Sequence, residues 1–105
     1  MTKSIRSQVV LAVVVALASA VGFAQAGGEA TYKAKCQSCH GSAGIPNPGI
    51  AKMMGVKPNT DPDIKKLTVD QMVASVKNGK NKMRPIAGLT DAQIKEAVVY
   101  YRSLK

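Results

Sequence analysis

The stretch Lys35-Cys36-Gln37-Ser38-Cys39-His40-Gly41 holds the only two cysteines and the only histidine of the 105-residue chain. Three chemistries use two thiols three residues apart with an imidazole directly after them: a redox-active disulfide, part of a zinc site, or the covalent attachment of a haem. Structural zinc takes four ligands; Cys36, Cys39 and His40 supply three, and adjacent Cys39 and His40 are awkward ligands for one tetrahedral ion. A thioredoxin-like dithiol belongs at a strand-to-helix junction of a βαβ unit, and no strand pattern surrounds this motif. A structural disulfide suits an exported chain but leaves His40 without a purpose. Cys-x-x-Cys-His is the attachment pattern of a c-type haem. On a helix, Cys36 and Cys39 project from one face, so their sulfurs can form thioethers with the two vinyl groups along one porphyrin edge. His40 then reaches under the ring to the iron.

The N-terminus supports an oxidising, exported setting. Met1 to Gln8 carries Lys3 and Arg6 with no acid, Val9 to Phe23 is almost wholly apolar, and Ala24-Gln25-Ala26 is a small-x-small cleavage site. That is the layout of a secretory signal peptide. The apolar run of 15 residues falls short of the roughly 20 needed to span a bilayer. Residues 1–26 are therefore expected to be a cleaved leader and residues 27–105 a single domain. The periplasm is the expected destination, and a thylakoid lumen would fit the same signal.

The expected mature chain is poor in core material. It has no Trp, its only Phe departs with the leader, and three tyrosines with scattered aliphatic side chains must fill the interior. Domains near this size usually need a staple or an added group, and a large, flat, apolar haem would complete the core. Its 13 basic residues against 6 acidic ones leave a formal charge of +7, which favours acidic partners or surfaces. Nucleic acid is rarely met by an exported chain, so an acidic protein surface or an anionic membrane face fits better.

Helix signals organise the rest. Thr68-Val69-Asp70-Gln71 is a capping box with Leu67 and Met72 as a hydrophobic staple, and Thr90-Asp91-Ala92-Gln93 repeats the device with Leu89 and Ile94. The first predicts a helix to about Asn78, stopped by Gly79. The second predicts one from Asp91 to about Leu104, with Ile94, Ala97, Val98, Tyr101 and Leu104 on one face. A shorter helix is expected over Glu29 to Cys39, placing Tyr32, Cys36 and Cys39 along one side and the small Ala30 and Ala34 on another. Gly41 to Asp63, with four prolines and four glycines, reads as loop with one helical turn near Ala51 to Met54. The expected architecture is all-α, with three or four short helices.

With His40 the only histidine, a second strong axial ligand must be methionine, lysine or tyrosine, or be absent. Met72 belongs to a helix stripe, and Met53 and Met54 are expected beneath the haem edge. Met83 sits in the polar segment Asn78-Gly79-Lys80-Asn81-Lys82-Met83-Arg84-Pro85, where an apolar side chain needs a reason to turn inward. Pro85 biases its neighbour toward extended backbone, and an extended strap could lay the thioether over the ring. The other reading makes Met83 a packing methionine.

These motifs resemble the class I monohaem cytochromes c, particularly the small bacterial and c6-like (cytochrome c-553) electron carriers. Tyr32 to Gly41 is similar to the family's haem-binding helix, Asn78-Gly79 with Met83 to its distal-ligand segment, and Leu89 to Lys105 to its C-terminal helix. The resemblance implies a cytochrome c fold and one covalent haem c held by Cys36 and Cys39, with His40 proximal and Met83 distal on the iron. It implies a proline carbonyl, from Pro46 or Pro48, orienting the other nitrogen of His40, and terminal helices crossing near Ala30, Ala34, Val98 and Tyr101. Arg84 separates Met83 from Pro85, where relatives often have the proline closer. His/Met ligation leaves no vacancy for substrate, so the implied role is a one-electron carrier, not an enzyme. It would be a monomer serving acidic redox partners such as a membrane-bound oxidase or reductase. Lys33, Lys35, Lys80, Lys82 and Arg84 flank the two motifs and would form a basic collar. The alternative is a haem enzyme or gas sensor with an open distal site.

Overall fold

The computed structural model describes residues 27–105; the leader expected over residues 1–26 lies outside the described residues. The chain is helical over residues 27–35 (α1), Gln37–His40 (α2), Pro48–Met54 (α3), Pro62–Lys65 (α4), Val69–Asn78 (α5) and Asp91–Ser103 (α6). Among the described residues there is no strand, only an isolated bridge between Lys80 and Met83, as the all-α expectation requires. No described helix is long and apolar enough to cross a membrane.

Among the described residues six helical segments appear where three or four were expected: the turn expected near Ala51 to Met54 reaches back to Pro48 as α3, α4 is added at Pro62, and the first helix is divided. Pro48 and Pro62 each occupy the first turn of a helix, behind Asn47 and Asp61 as N-caps. Their carboxamide and carboxylate oxygens accept from Gly49 N and Asp63 N, both at 2.8 Å. Proline at a first helical position forfeits no helical hydrogen bond and has its φ already set. Residues that read as loop breakers therefore start α3 and α4. The first expected helix is divided at Cys36, where φ is −118°.

Both capping boxes form. Thr68 Oγ1 accepts from Gln71 N at 3.1 Å while Gln71 Oε1 accepts from Thr68 N at 2.9 Å, and Thr90 and Gln93 repeat the same distances. Each cap is worth about 1 kcal/mol. Together they aim α5 and α6 at one another, burying Met72 against Ile94 and Val98, with Leu67 and Leu89 of the two staples packed on that cluster. Burial of each such side chain contributes roughly 1.5–3 kcal/mol. The Arg102 guanidinium donates to the Leu67 carbonyl, and Asn59 Nδ2 donates to the Leu104 carbonyl at 2.8 Å, so the C-terminal end of α6 is tied to the segments that precede α5.

The crossing of the terminal helices differs from the expected one. Ala30 and Ala34 are exposed; the close approach is made by Gly28, where a Cβ would stand 2.4 Å from the Glu96 carbonyl oxygen. One turn on, Tyr32 is 2% exposed and packs on Tyr100 and Tyr101, with ring centroids 5.4 and 6.0 Å away. Val98 and Tyr101 lie on the α6 side as expected.

Gly28→Ala adds about 1 kcal/mol of helix propensity but places an atom against a backbone carbonyl that cannot rotate aside, an overpacking cost of about 1–3 kcal/mol. Thermal unfolding should show a net loss. Burial, then the Tyr101 phenol, pushes the Tyr32 phenol up, so the fold favours its protonated form. That contribution is complete below pH 10, where the unfolded tyrosine keeps its proton, and declines as pH rises further. Tyr32→Phe should therefore cost about 1 kcal/mol at neutral pH through its lost hydrogen bond, yet show a shallower stability loss above pH 10 than the parent.

Candidate functional site

The Cys-x-x-Cys-His segment is a short helix braced from its own N-terminal side. Cys36 N donates to the Tyr32 carbonyl at 2.9 Å, His40 N to the Cys36 carbonyl at 3.0 Å, and Gly41 N to the Gln37 carbonyl at 2.8 Å. Gly41 ends it with φ at 85°. The Ile45 carbonyl oxygen lies 1.9 Å from where a Gly41 Cβ would be, so both backbone and space require glycine here. The buried Tyr32 hydroxyl donates to the Gly41 carbonyl. Tyr32 thus holds the residue after His40 in place.

His40 is half-buried and stands edge-on to Tyr101, with centroids 5.4 Å apart and planes at 65°. Burial lowers its pKa, which favours the neutral imidazole that can give a lone pair to a metal. Its Nδ1 is buried without a hydrogen-bond partner, so neither Pro46 nor Pro48 makes the expected contact. The two prolines are nonetheless distinguishable. Pro48 is exposed and opens α3, where its carbonyl belongs to the helix, whereas Pro46 is buried. Cys36 and Cys39 are free thiols, the first half-buried and the second exposed; burial raises the Cys36 pKa.

Cys36, Cys39 and His40 line a cavity of about 470 Å³, which Met83 lines as well. That size lies within the roughly 300–1,000 Å³ of sites that enclose a ligand. Ile64, Leu67, Val76, Ile86 and Val98 supply apolar surface. Three features suit haem: two thiols at the border of the cavity, an imidazole whose Nδ1 is buried and unpartnered, and a thioether lining the same apolar space. Among the described residues, no three His, Cys, Asp or Glu side chains converge on a common point.

Met83 arrives there by a different backbone path from the extended strap expected. Lys80 and Met83 are paired by two hydrogen bonds, Lys80 N to Met83 O at 3.0 Å and Met83 N to Lys80 O at 2.9 Å. Asn81 takes the left-handed conformation between them, φ 53°, which asparagine tolerates better than most residues. Ile86 N then donates to the Val76 carbonyl at 2.9 Å, fastening the segment to α5. Of the other methionines, Met72 is buried in the α5–α6 core and Met54 lines the cavity. Met53, expected beneath the haem edge, is 62% exposed. Neighbours on a helix point about 100° apart, so one wall cannot use both.

Lys35, Lys80, Lys82 and Arg84 of the expected collar line the cavity. Lys33 does not; it pairs with Glu29 at 2.8 Å one helical turn away. Lys57 and Asp63, which the sequence did not single out, also line it and pair at 3.0 Å. Only the path of the loop brings them there, and no local spacing signals it.

The sequence model of a family described as cytochrome c oxidase, cbb3-type, subunit III matches residues 23–100. No curated protein and no solved structure matches the chain significantly. The match spans the Cys-x-x-Cys-His motif, Met83 and most of α6, and agrees with the helical fold. On that coverage the chain belongs to this family, and it is a c-type cytochrome domain with the all-α cytochrome c fold.

Proposed function

We propose that the chain is an exported one-electron carrier in which haem c is bonded to Cys36 and Cys39 and its iron is held by His40 and Met83. The observation that carries this reading is a single apolar cavity bordered by all four residues. When bound, haem c supplies one-electron exchange between ferric and ferrous iron. The protein's part is to hold and shield it. Tyr32, through Gly41, and Tyr101, against the imidazole ring, orient His40, and the aliphatic walls exclude water. With His40 and Met83 both on the iron, no coordination position would be left for a substrate and the potential would be raised, so the role is that of a carrier and not an enzyme. A buried Pro46 is the better placed of the two prolines to supply a carbonyl to His40 Nδ1, which fixes ligand orientation in such sites.

The cations at the cavity rim supply the docking field. Lys35, Lys80 and Arg84 make no side-chain hydrogen bond or ion pair among the described residues, so their charge is available to an acidic partner. The family's description names a subunit of an oxidase, which supports a membrane-bound oxidase as the acidic partner; in this reading the chain acts as a monomer in the periplasm. A thylakoid lumen meets the same charge and export argument. The leader over residues 1–26 and the domain over residues 27–105 belong to this reading.

The oxidised absorption spectrum should contain the weak far-red band of an iron to methionine-sulfur bond. Met83→Ala should abolish it and open the reduced protein to rapid, tight carbon monoxide binding; rapid binding by the parent protein would instead establish the open distal site. Replacing Lys80 and Arg84 with Glu should slow reduction of ferricyanide, a small anionic oxidant, by about tenfold or more at low salt. The two rates should converge as salt screens the rim.

A further inference from the structure

Lys82 differs from the other rim cations next to Met83 in having a partner among the described residues. Its Nζ donates to the Met53 carbonyl, 3.0 Å away and 29 residues earlier. Met53 lies in the last turn of α3, where carbonyls have no intrahelical amide to accept from and a cation sits favourably against the helix dipole. The contact joins the turn that carries Met83 to the helix whose Met54 lines the same cavity.

The turn's other bonds do not make that connection. The paired amides of Lys80 and Met83 fix its internal shape, and Ile86 fastens its exit to α5. Among the described residues, Lys80, Asn81, Met83 and Arg84 make no side-chain hydrogen bond or ion pair. Lys82 alone ties the turn to α3 through a side chain.

We propose that Lys82 is a positioning residue, clasping the Met83 turn to the end of α3 and holding the thioether at the cavity, while Lys80 and Arg84 serve the electrostatic rim. The consequence at the iron rests on the reading of Met83 as distal ligand; the clasp itself does not. The two lysines are chemically identical and two positions apart. A role in the rim field alone would make their removal equivalent.

The test compares the haem-loaded protein with its Lys82→Met, Lys82→Gln, Lys82→Arg and Lys80→Met variants. Two quantities are read: hydrogen exchange at the Lys80 and Met83 amides, and the rate of carbon monoxide binding to the reduced form. Both should rise about tenfold in Lys82→Met and Lys82→Gln, on the scale of a charge-assisted hydrogen bond at a partly exposed site. Lys82→Arg, which keeps a donor, should restore them, and Lys80→Met should leave them at parent values. Equal amide protection in Lys82→Met and Lys80→Met overturns the clasp. Faster exchange without faster carbon monoxide binding upholds the clasp and removes Met83 from the iron.

Discussion

The backbone of α1 passes so close to α6 at Gly28 that no side chain fits between it and the Glu96 carbonyl. The positioning of the Cys-x-x-Cys-His segment depends on that contact. It seats Tyr32 one turn later against Tyr100 and Tyr101, and Tyr32 in turn carries the Gly41 carbonyl on its hydroxyl. Gly41 follows His40 directly, so the orientation of the imidazole is inherited from a helix crossing three turns of chain away. Tyr101 closes the circuit by facing both Tyr32 and His40.

The interior built on this crossing is thin. Among the described residues the buried hydrophobic core consists of Tyr32, Met72, Ile94, Ala97 and Val98, and several of the remaining aliphatic side chains line the cavity. A domain of this length buries too small a share of its surface to stand comfortably by itself. A group that binds the folded chain and not the unfolded one adds its binding free energy to stability. In a c-type cytochrome domain the covalent haem has that place, which makes its attachment part of folding as well as of function.

Charge is distributed with similar division of labour. Glu29 pairs with Lys33, Asp63 with Lys57 and Lys66, and Asp91 with Lys77. The hydrogen bond from Lys57, followed by that from Lys66, lowers the Asp63 pKa. All these groups are exposed, so each pair contributes little to stability. Their larger effect is to use three of the six acids on local partners while leaving the cations beside Met83 to act outward or, for Lys82, on the neighbouring helix.

Short-range chemistry was legible in the residues themselves. Cys36, Cys39 and His40 stand at the spacing of a c-type haem attachment motif, a pattern contained within one helical turn. Thr68 with Gln71 and Thr90 with Gln93 mark their helix starts because each box is closed by atoms three residues apart. Contacts between distant segments were not legible. Gly28 rather than Ala30 makes the helix crossing, Met54 rather than Met53 faces the cavity, Lys57 and Asp63 reach its rim, and Lys82 finds a carbonyl 29 residues away. Each depends on the angle at which separate helices meet. The sequence by itself determined the cofactor chemistry and the helical framework, because spacing and capping are local. Only the tertiary structure decided which small residue is pinched at the crossing and which cation is spent inside the molecule, because packing of remote backbones settles both.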